Sequence, residues 1–310
     1  MDLSVVIPCY NEEASIPELL RRVRLACEAA PISSYEIVLI DDGSRDRTWQ
    51  MIEQMAEDPT SHVVGVALSR NHGHQLALTA GLETARGENI FIIDADLQDP
   101  PELLTPMLAK LGEGADVVYG QRASRSGESL FKKLTAKIFY RVLDAMTDVS
   151  IPLDTGDFRL MRRSVLDVLN SMPESQRFIR GMVSWVGFNQ VAFPYQRDER
   201  FAGETKYPLS KMMKLAFDAI TSFSIKPLVI ASYCGAVFGT IGLFTLLYVL
   251  VSWSSNHAVR GWTSVISVVL ILGSIQLVFL GLIGEYLGRS YIESKRRPIF
   301  IIRRIVGQRP

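Results

Sequence analysis

Two stretches of the chain, Leu228–Trp253 and Trp262–Gly284, contain no Asp, Glu, Lys or Arg. Each is long enough to cross a hydrocarbon core about 30 Å thick as a helix, and no charged side chain marks a solvent face on either. The connector, residues 254–261, is too short for anything but a hairpin. Lys206, Lys211, Lys214 and Lys226 precede the hairpin and Arg289, Lys295, Arg296 and Arg297 follow it, whereas the connector carries only His257 and Arg260. The positive-inside bias then puts both termini and everything before the hairpin in the cytoplasm. The expectation is a multi-pass protein of the plasma (inner) membrane, with Trp253 and Trp262 at interfacial positions.

The part before the hairpin has a different rhythm. Apolar runs at Leu3–Ile7, Ile37–Ile40, Val63–Leu68, Ile90–Ile93 and Val117–Gly120 alternate with helical spacing over Ile16–Ala29, Asp46–Ala56 and His74–Ala85. Strands apolar throughout and separated by helices read as an α/β domain whose parallel sheet is covered on both faces. Ligands in such sheets lie beyond the carboxyl ends of the strands. Pro8-Cys9-Tyr10-Asn11-Glu12, Asp41-Asp42 and Asp94-Ala95-Asp96 all fall there, so three polar clusters are expected to converge on one crevice.

In the third cluster, Asp94 and Asp96 with the Gln98 carbonyl form a hard oxygen set suited to Mg²⁺ or Mn²⁺. An isolated Asp-x-Asp also serves simple solubility at strand ends; the convergence is what distinguishes this one. The turn after the first strand lacks the glycines of a dinucleotide-binding loop, and no G-x-x-x-x-G-K-[ST] is present. Phosphates must therefore be held by metal and basic side chains. Arg122 at the fifth strand end, Lys132, and the acidic turn Asp154–Arg159 are further polar candidates.

Equal numbers of acidic and basic residues, 33 each, give no reason to expect nucleic acid. Three cysteines without C-x-x-C spacing argue for a reducing compartment and against a disulfide framework or zinc. The N-terminus has no basic and long apolar segment of a signal peptide.

Ser4-Val5-Val6-Ile7-Pro8-Cys9-Tyr10-Asn11-Glu12, Asp41-Asp42-Gly43-Ser44 and Asp94-Ala95-Asp96-Leu97-Gln98 resemble the GT-A-fold family 2 glycosyltransferases. Among these the chain is similar to polyprenyl-phosphate sugar transferases, closely to bacterial two-span bactoprenol (undecaprenyl-phosphate) glucosyltransferases and more distantly to dolichol-phosphate mannosyltransferase. Arg200-Phe201-Ala202-Gly203-Glu204-Thr205-Lys206 is similar to the family's R-x-x-G-E-S-K segment. The resemblance implies that Pro8, Tyr10, Glu12 and Asp42 hold the base and ribose. It implies that Asp94, beside Ala95, contacts the nucleotide and the metal, that Asp96 and Gln98 ligate the metal, and that Arg122 and Lys132 face the acceptor phosphate. Arg200 and Lys206 would close the site.

Three departures matter. Lys132 stands where the mannosyl branch often has arginine, which keeps charge but loses bidentate geometry. Thr155-Gly156-Asp157 replaces a serine-glycine-phenylalanine turn; Asp157 is the candidate general base, a salt-bridged turn acid the alternative. Gln176-Arg177-Phe178-Ile179-Arg180-Gly181 replaces the Q-x-x-R-W of processive synthases, which favours single transfer.

The expected layout is a Rossmann-like GT-A domain over 1–204, an amphipathic interfacial helix over 205–226, and spans at 227–253 and 262–287. A short extracytoplasmic loop at 254–261 joins the spans, and a basic tail with a short strand fills 288–310. Pro298–Ile302 is β-prone and too short to stand alone; added to a sheet edge, its own or a neighbour's, it would suggest a homo-oligomer. The expected activity is metal-dependent, inverting transfer of a hexose, glucose from UDP-glucose, onto undecaprenyl phosphate at the cytoplasmic face. Rivals are another sugar (mannose, N-acetylglucosamine, a 4-amino-arabinose derivative) or a non-catalytic membrane component that only binds nucleotide sugar.

Overall fold

The computed structural model describes residues 1–58, 60–122, 152, 155–196, 221, 224–254 and 261–307. They fall into two units, one built on a sheet and one containing the two long helices.

The sheet unit begins β1 (Leu3–Cys9), α1 (Ile16–Ala29), β2 (Tyr35–Asp41), α2 (Thr48–Glu57), β3 (Val63–Leu68), α3 (His74–Thr84) and β4 (Asn89–Ile92). Parallel pairing in the order β3-β2-β1-β4 aligns Val5 with Ile37 and with Phe91. β1 and β3 are buried at every position, which explains their unbroken apolar runs. Alternation along β1 sorts the two faces. Val5, Ile7 and Cys9 join a core with Leu19, Leu20 and Val23 of α1 and Ile52 of α2. Val6 and, on β2, Ile40 face α3, where Gly81 permits close contact. Burying each such aliphatic side chain is worth about 1.5–3 kcal/mol before the entropy of ordering is set against it.

A short 3₁₀ turn at Pro101–Leu103 leads into α4 (Leu104–Gly112) and then β5 (Val117–Arg122). The segment expected as an acidic turn is instead, from Thr155, strand β6 (Thr155–Arg162), antiparallel to both β4 and β5. Its charges stand in a buried strand because they are paired there: Asp157 with Arg180, and Arg159 with the carbonyls of Gly156 and Asp157. Phe158, on the opposite face, meets Phe91 and Tyr195 with ring centroids 5.3 Å apart in each case. α5 (Arg163–Ser171), α6 (Ile179–Val186) and β7 (Gln190–Tyr195) follow, β7 parallel to β5.

The long helices are α7 (Lys226–Ser254) and α8 (Trp262–Ser294), both long and apolar enough to cross a membrane. Near their polar ends Tyr286 donates to the Ser224 carbonyl at 2.6 Å, and Arg289 pairs with Glu285. Beyond them the chain returns to the sheet. β8 (Ile302–Val306) lies antiparallel on β3 and gives the order β7-β5-β6-β4-β1-β2-β3-β8. The expected tail strand thus joins its own sheet, a few residues later than Pro298–Ile302, so it supplies no argument for an oligomer. Most of the amphipathic 205–226 segment and of the 254–261 connector lies outside the described residues.

Candidate active site

Strand order reverses between β1 and β4, and a crevice of about 390 Å³ opens beyond their carboxyl ends. Its lining includes Pro8, Cys9, Tyr10 and Glu12 from β1, Asp42 from β2, Asn71, Gly73 and His74 before and within α3, and Asp94, Ala95 and Asp96 after β4. Pro8, Tyr10, Glu12, Asp42, Asp94, Ala95 and Asp96, separated in sequence, are therefore brought together. Lys132, Arg200 and Lys206 lie outside the described residues.

The crevice walls are laced by short polar contacts. The loop after β1 bonds the loop after β2: Asn11 N–H to Ser44 Oγ at 3.0 Å, Arg45 N–H to Asn11 Oδ1 at 2.8 Å, Glu12 N–H to Thr48 Oγ1 at 2.8 Å. Gly43, with φ +67°, has no room for a Cβ, which would come 2.7 Å from the Arg70 carbonyl carbon and the Asn71 nitrogen. That close approach presses the 70–73 loop into place. Asp42, assigned to the nucleotide by resemblance, already accepts the N–H groups of His72 at 2.7 Å and Gly73 at 2.9 Å. Burial pushes its carboxyl above the usual range, against those two bonds. Its immediate work is holding this loop.

At the crevice floor His74 Nε2 stands 3.0 Å from Asp157 Oδ2 and 3.6 Å from Asp94 Oδ1. Burial alone would lower the imidazole pKa; the hydrogen bond it donates to Asp157 and the charges of both carboxylates overcome it and raise it to about 9. Burial raises Asp94 to about 6, with His74 opposing. Asp157 is 2% exposed. Burial would raise it too, but Arg180 at 3.0 Å, His74 and Arg159 hold it well below the usual carboxylate range. Gln75 Nε2 adds a bond at 2.9 Å. The salt-bridged alternative describes it, with Arg180 and His74 as partners rather than Arg159 or Arg122 alone.

Arg122 ends β5 beside β6, its Nη2 3.0 Å from where a Cβ on Gly156 would stand. Its buried Nε makes no hydrogen bond to a described residue. Nearby, the Tyr195 hydroxyl donates a short hydrogen bond to the buried Asp99. This ties β7 to the loop that carries Asp96.

That loop is sharply turned. Leu97 is left-handed at φ +61°, a costly conformation for a bulky residue. It turns the Gln98 N–H back onto Asp96 Oδ1 at 3.2 Å. Asp94 Oδ1 is buried without a hydrogen bond. Among the described residues no group of three or more His, Cys, Asp or Glu side chains gathers as a metal site. Two crevice-lining carboxylates, one with a buried oxygen that accepts no hydrogen bond, fit an ion of the Mg²⁺ type, which keeps waters and takes substrate phosphates as its other ligands.

His74, Gln75, Asn71 and Arg180 were not singled out from sequence. His74 had one usable signal, a histidine opening a helix at the carboxyl edge of a parallel sheet. Arg180 had none, since it meets Asp157 only through the fold.

Comparison with known proteins agrees with this geometry. Residues 4–169 match the model of glycosyl transferase family 2, and residues 226–290 match the GtrB C-terminal hairpin. The chain is 48% identical over 306 residues to the uncharacterized glycosyltransferase YkcC of Bacillus subtilis, covering 98% of this chain and 94% of that protein. It is 41% identical to the prophage bactoprenol glucosyl transferase homolog of Escherichia coli, covering 98% and 99%. With the bactoprenol glucosyl transferase of Shigella phage SfV identity is 40%, covering 98% of each. A mixed sheet with its crevice at the reversal of strand order, carrying this hairpin, is the GT-A architecture, and the chain belongs to glycosyl transferase family 2.

Proposed function

We propose that this glycosyltransferase moves a hexose, glucose from UDP-glucose, onto the phosphate of undecaprenyl or another polyprenyl phosphate at the cytoplasmic face of the membrane. The observation that carries the reading is the crevice, lined by Asp94 and Asp96, in a chain that also carries a hydrophobic hairpin. Full-length similarity to bactoprenol glucosyl transferases supports the sugar and the lipid acceptor.

Pro8, Tyr10, Glu12 and Asp42, which line the crevice, would hold the base and ribose. Asp94, Asp96 and Gln98 would hold Mg²⁺ or Mn²⁺, which as a Lewis acid would stabilise the diphosphate leaving group. Arg122, with Lys132, would orient the acceptor phosphate, and Arg200 and Lys206 would close over the donor. A phosphate monoester is largely ionised near neutral pH, its second pKa being about 6. The acceptor therefore needs orientation and charge balance more than proton removal, and one in-line displacement inverts the anomeric centre. β8 follows the hairpin yet completes the sheet that precedes it, so two crossings return the chain to the side it left. That supports placing both termini in the cytoplasm, with the basic flanks.

The test is transfer of label from a panel of nucleotide sugars into extractable lipid, using membranes, undecaprenyl phosphate and divalent metal. Labelling from UDP-glucose that EDTA abolishes and Asp96→Ala removes is the expected result. Labelling from a different donor corrects the sugar. None from any donor, with nucleotide sugar still bound, favours the non-catalytic component.

A further inference from the structure

We propose that Tyr195 is a positioning residue for the acceptor: one hydroxyl ties the buried Asp99 to Arg122 and so fixes the guanidinium that meets the acceptor phosphate. This rests on the transferase reading above, which gives Arg122 that phosphate.

Two glycines open the sheet face toward the carboxyl end of β5. A Cβ on Gly120 would overlap Phe158 and stand 2.9 Å from the Tyr195 ring, so the ring lies in a slot that the glycine leaves. There it packs on Phe158 and is 6% exposed. Arg122, two residues after Gly120, has its side chain on the same face. It also pairs in register with Tyr195 of the neighbouring strand. Its Nη2 lies over Gly156 of β6, 3.0 Å from where a Cβ would stand. Gly120 makes room for the ring, and Gly156 for the guanidinium.

A phenol has one proton to give and lone pairs with which to receive. Asp99, with no exposed surface, takes the proton in a short bond. Burial and Asp99 push the phenol up while Arg122 opposes them, so the hydroxyl keeps its proton at neutral pH. One oxygen thus stands between a carboxylate and a guanidinium. Asp99 follows Gln98 directly and precedes Pro100-Pro101, in a loop whose Leu97 is also buried. The loop that would hold the donor's metal and the arginine that would hold the acceptor are therefore spaced through a single phenol. In-line transfer needs that spacing, since a displacement of about 1 Å can cost about a hundredfold. Phenylalanine would fill the slot as well; the hydroxyl is what tyrosine adds.

The full chain, purified in detergent, is assayed for transfer from UDP-glucose to undecaprenyl phosphate as wild type, Y195F, R122K and Y195F/R122K. Equilibrium binding of labelled undecaprenyl phosphate and of UDP is measured alongside. Y195F is expected to raise acceptor KM and weaken lipid binding by about tenfold, with UDP affinity within about threefold of wild type. The double variant is expected to be no worse than R122K, because the tyrosine acts through the arginine. A Y195F that only lowers the melting temperature, with both affinities unchanged, overturns the proposal and leaves Tyr195 an internal brace. Losses that multiply in the double variant overturn it too, as does a loss of UDP affinity equal to the loss for lipid. If Y195F unfolds below assay temperature, G156A replaces it, its methyl displacing the guanidinium with the Tyr195–Asp99 bond left in place. The same rise in acceptor KM is expected there, and an unchanged KM overturns the proposal. A wild type that binds the lipid but transfers from no donor defeats the functional reading alone, since lipid binding by wild type and Y195F still decides the role of Tyr195. A wild type that binds no lipid phosphate overturns both.

Discussion

Gly81 of α3 lies directly on Ile40 of β2: a Cβ on the glycine would overlap Ile40 Cδ1 and come 2.5 Å from Val6 Cγ1. The helix can seat this deep only because that position has no side chain. Gly81→Ala gains helix propensity of about 1 kcal/mol but must displace two fully buried branched side chains. Overpacking of this kind costs about 1–3 kcal/mol, so a net loss is expected, read as a lower melting temperature of the purified chain. Since α3 opens with His74, donor KM should rise as well.

The turn at Leu97 separates binding from stability. Asp96 is partly exposed, and its Oδ1 accepts the Gln98 N–H. Asp96→Asn keeps that bond and removes a hard anionic ligand. The unfolding free energy without metal should stay within about 0.5 kcal/mol of wild type, read from denaturant melts. The metal concentration for half-maximal activity should rise by about tenfold or more. Leu97→Ala should do the reverse in emphasis, costing about 2–5 kcal/mol for a buried leucine.

The charge on His74 makes stability depend on pH. Its folded value, about 9, lies above the ordinary 6.5. The stabilisation is therefore fully present below about pH 6.5 and is lost as pH rises through 9. The side chain is 44% exposed, so screening limits the effect to on the order of 1 kcal/mol. Thermal melts in EDTA should show wild type losing stability relative to H74Q between pH 6.5 and 9.5. Parallel curves would remove the charged pair from the account.

At the far edge of the sheet, Arg304 of β8 pairs with Glu53 of α2, and Gly307, at φ +76°, passes too close to the Val63 carbonyl for any side chain. Gly307→Val should detach the end of β8 and leave β3 as an open edge. Such edges recruit other chains, so the expected readout is aggregation on mild heating, with transfer activity retained in the soluble fraction.

What could be read from the sequence followed burial. β1 to β4 are enclosed on both faces, so their residues are mostly apolar, and α1 declares itself through Ile16, Leu19, Leu20, Val23 and Cys27 on one side. The crevice carboxylates were legible because strand ends in such a sheet share one edge. β6 was not, because Asp157 and Arg159 look like a solvated turn until Arg180 and His74 are brought to them in space. β8 was displaced in the reading because an edge strand accepts Arg303 and Arg304 on its open side, so polarity no longer marks where it runs. The clamp on Asp157 draws on residues from three separate elements, and no local pattern encodes such a meeting.

The position of β8 in the chain also orders events during biosynthesis. The ribosome makes α7 and α8 before it makes the strand that covers β3, so the sheet emerges with that edge bare. Pairing across so long an interval is slow, because loop closure must precede any gain. The sheet is therefore sealed only once both helices have been made, and until then the bare edge of β3 is open to other chains.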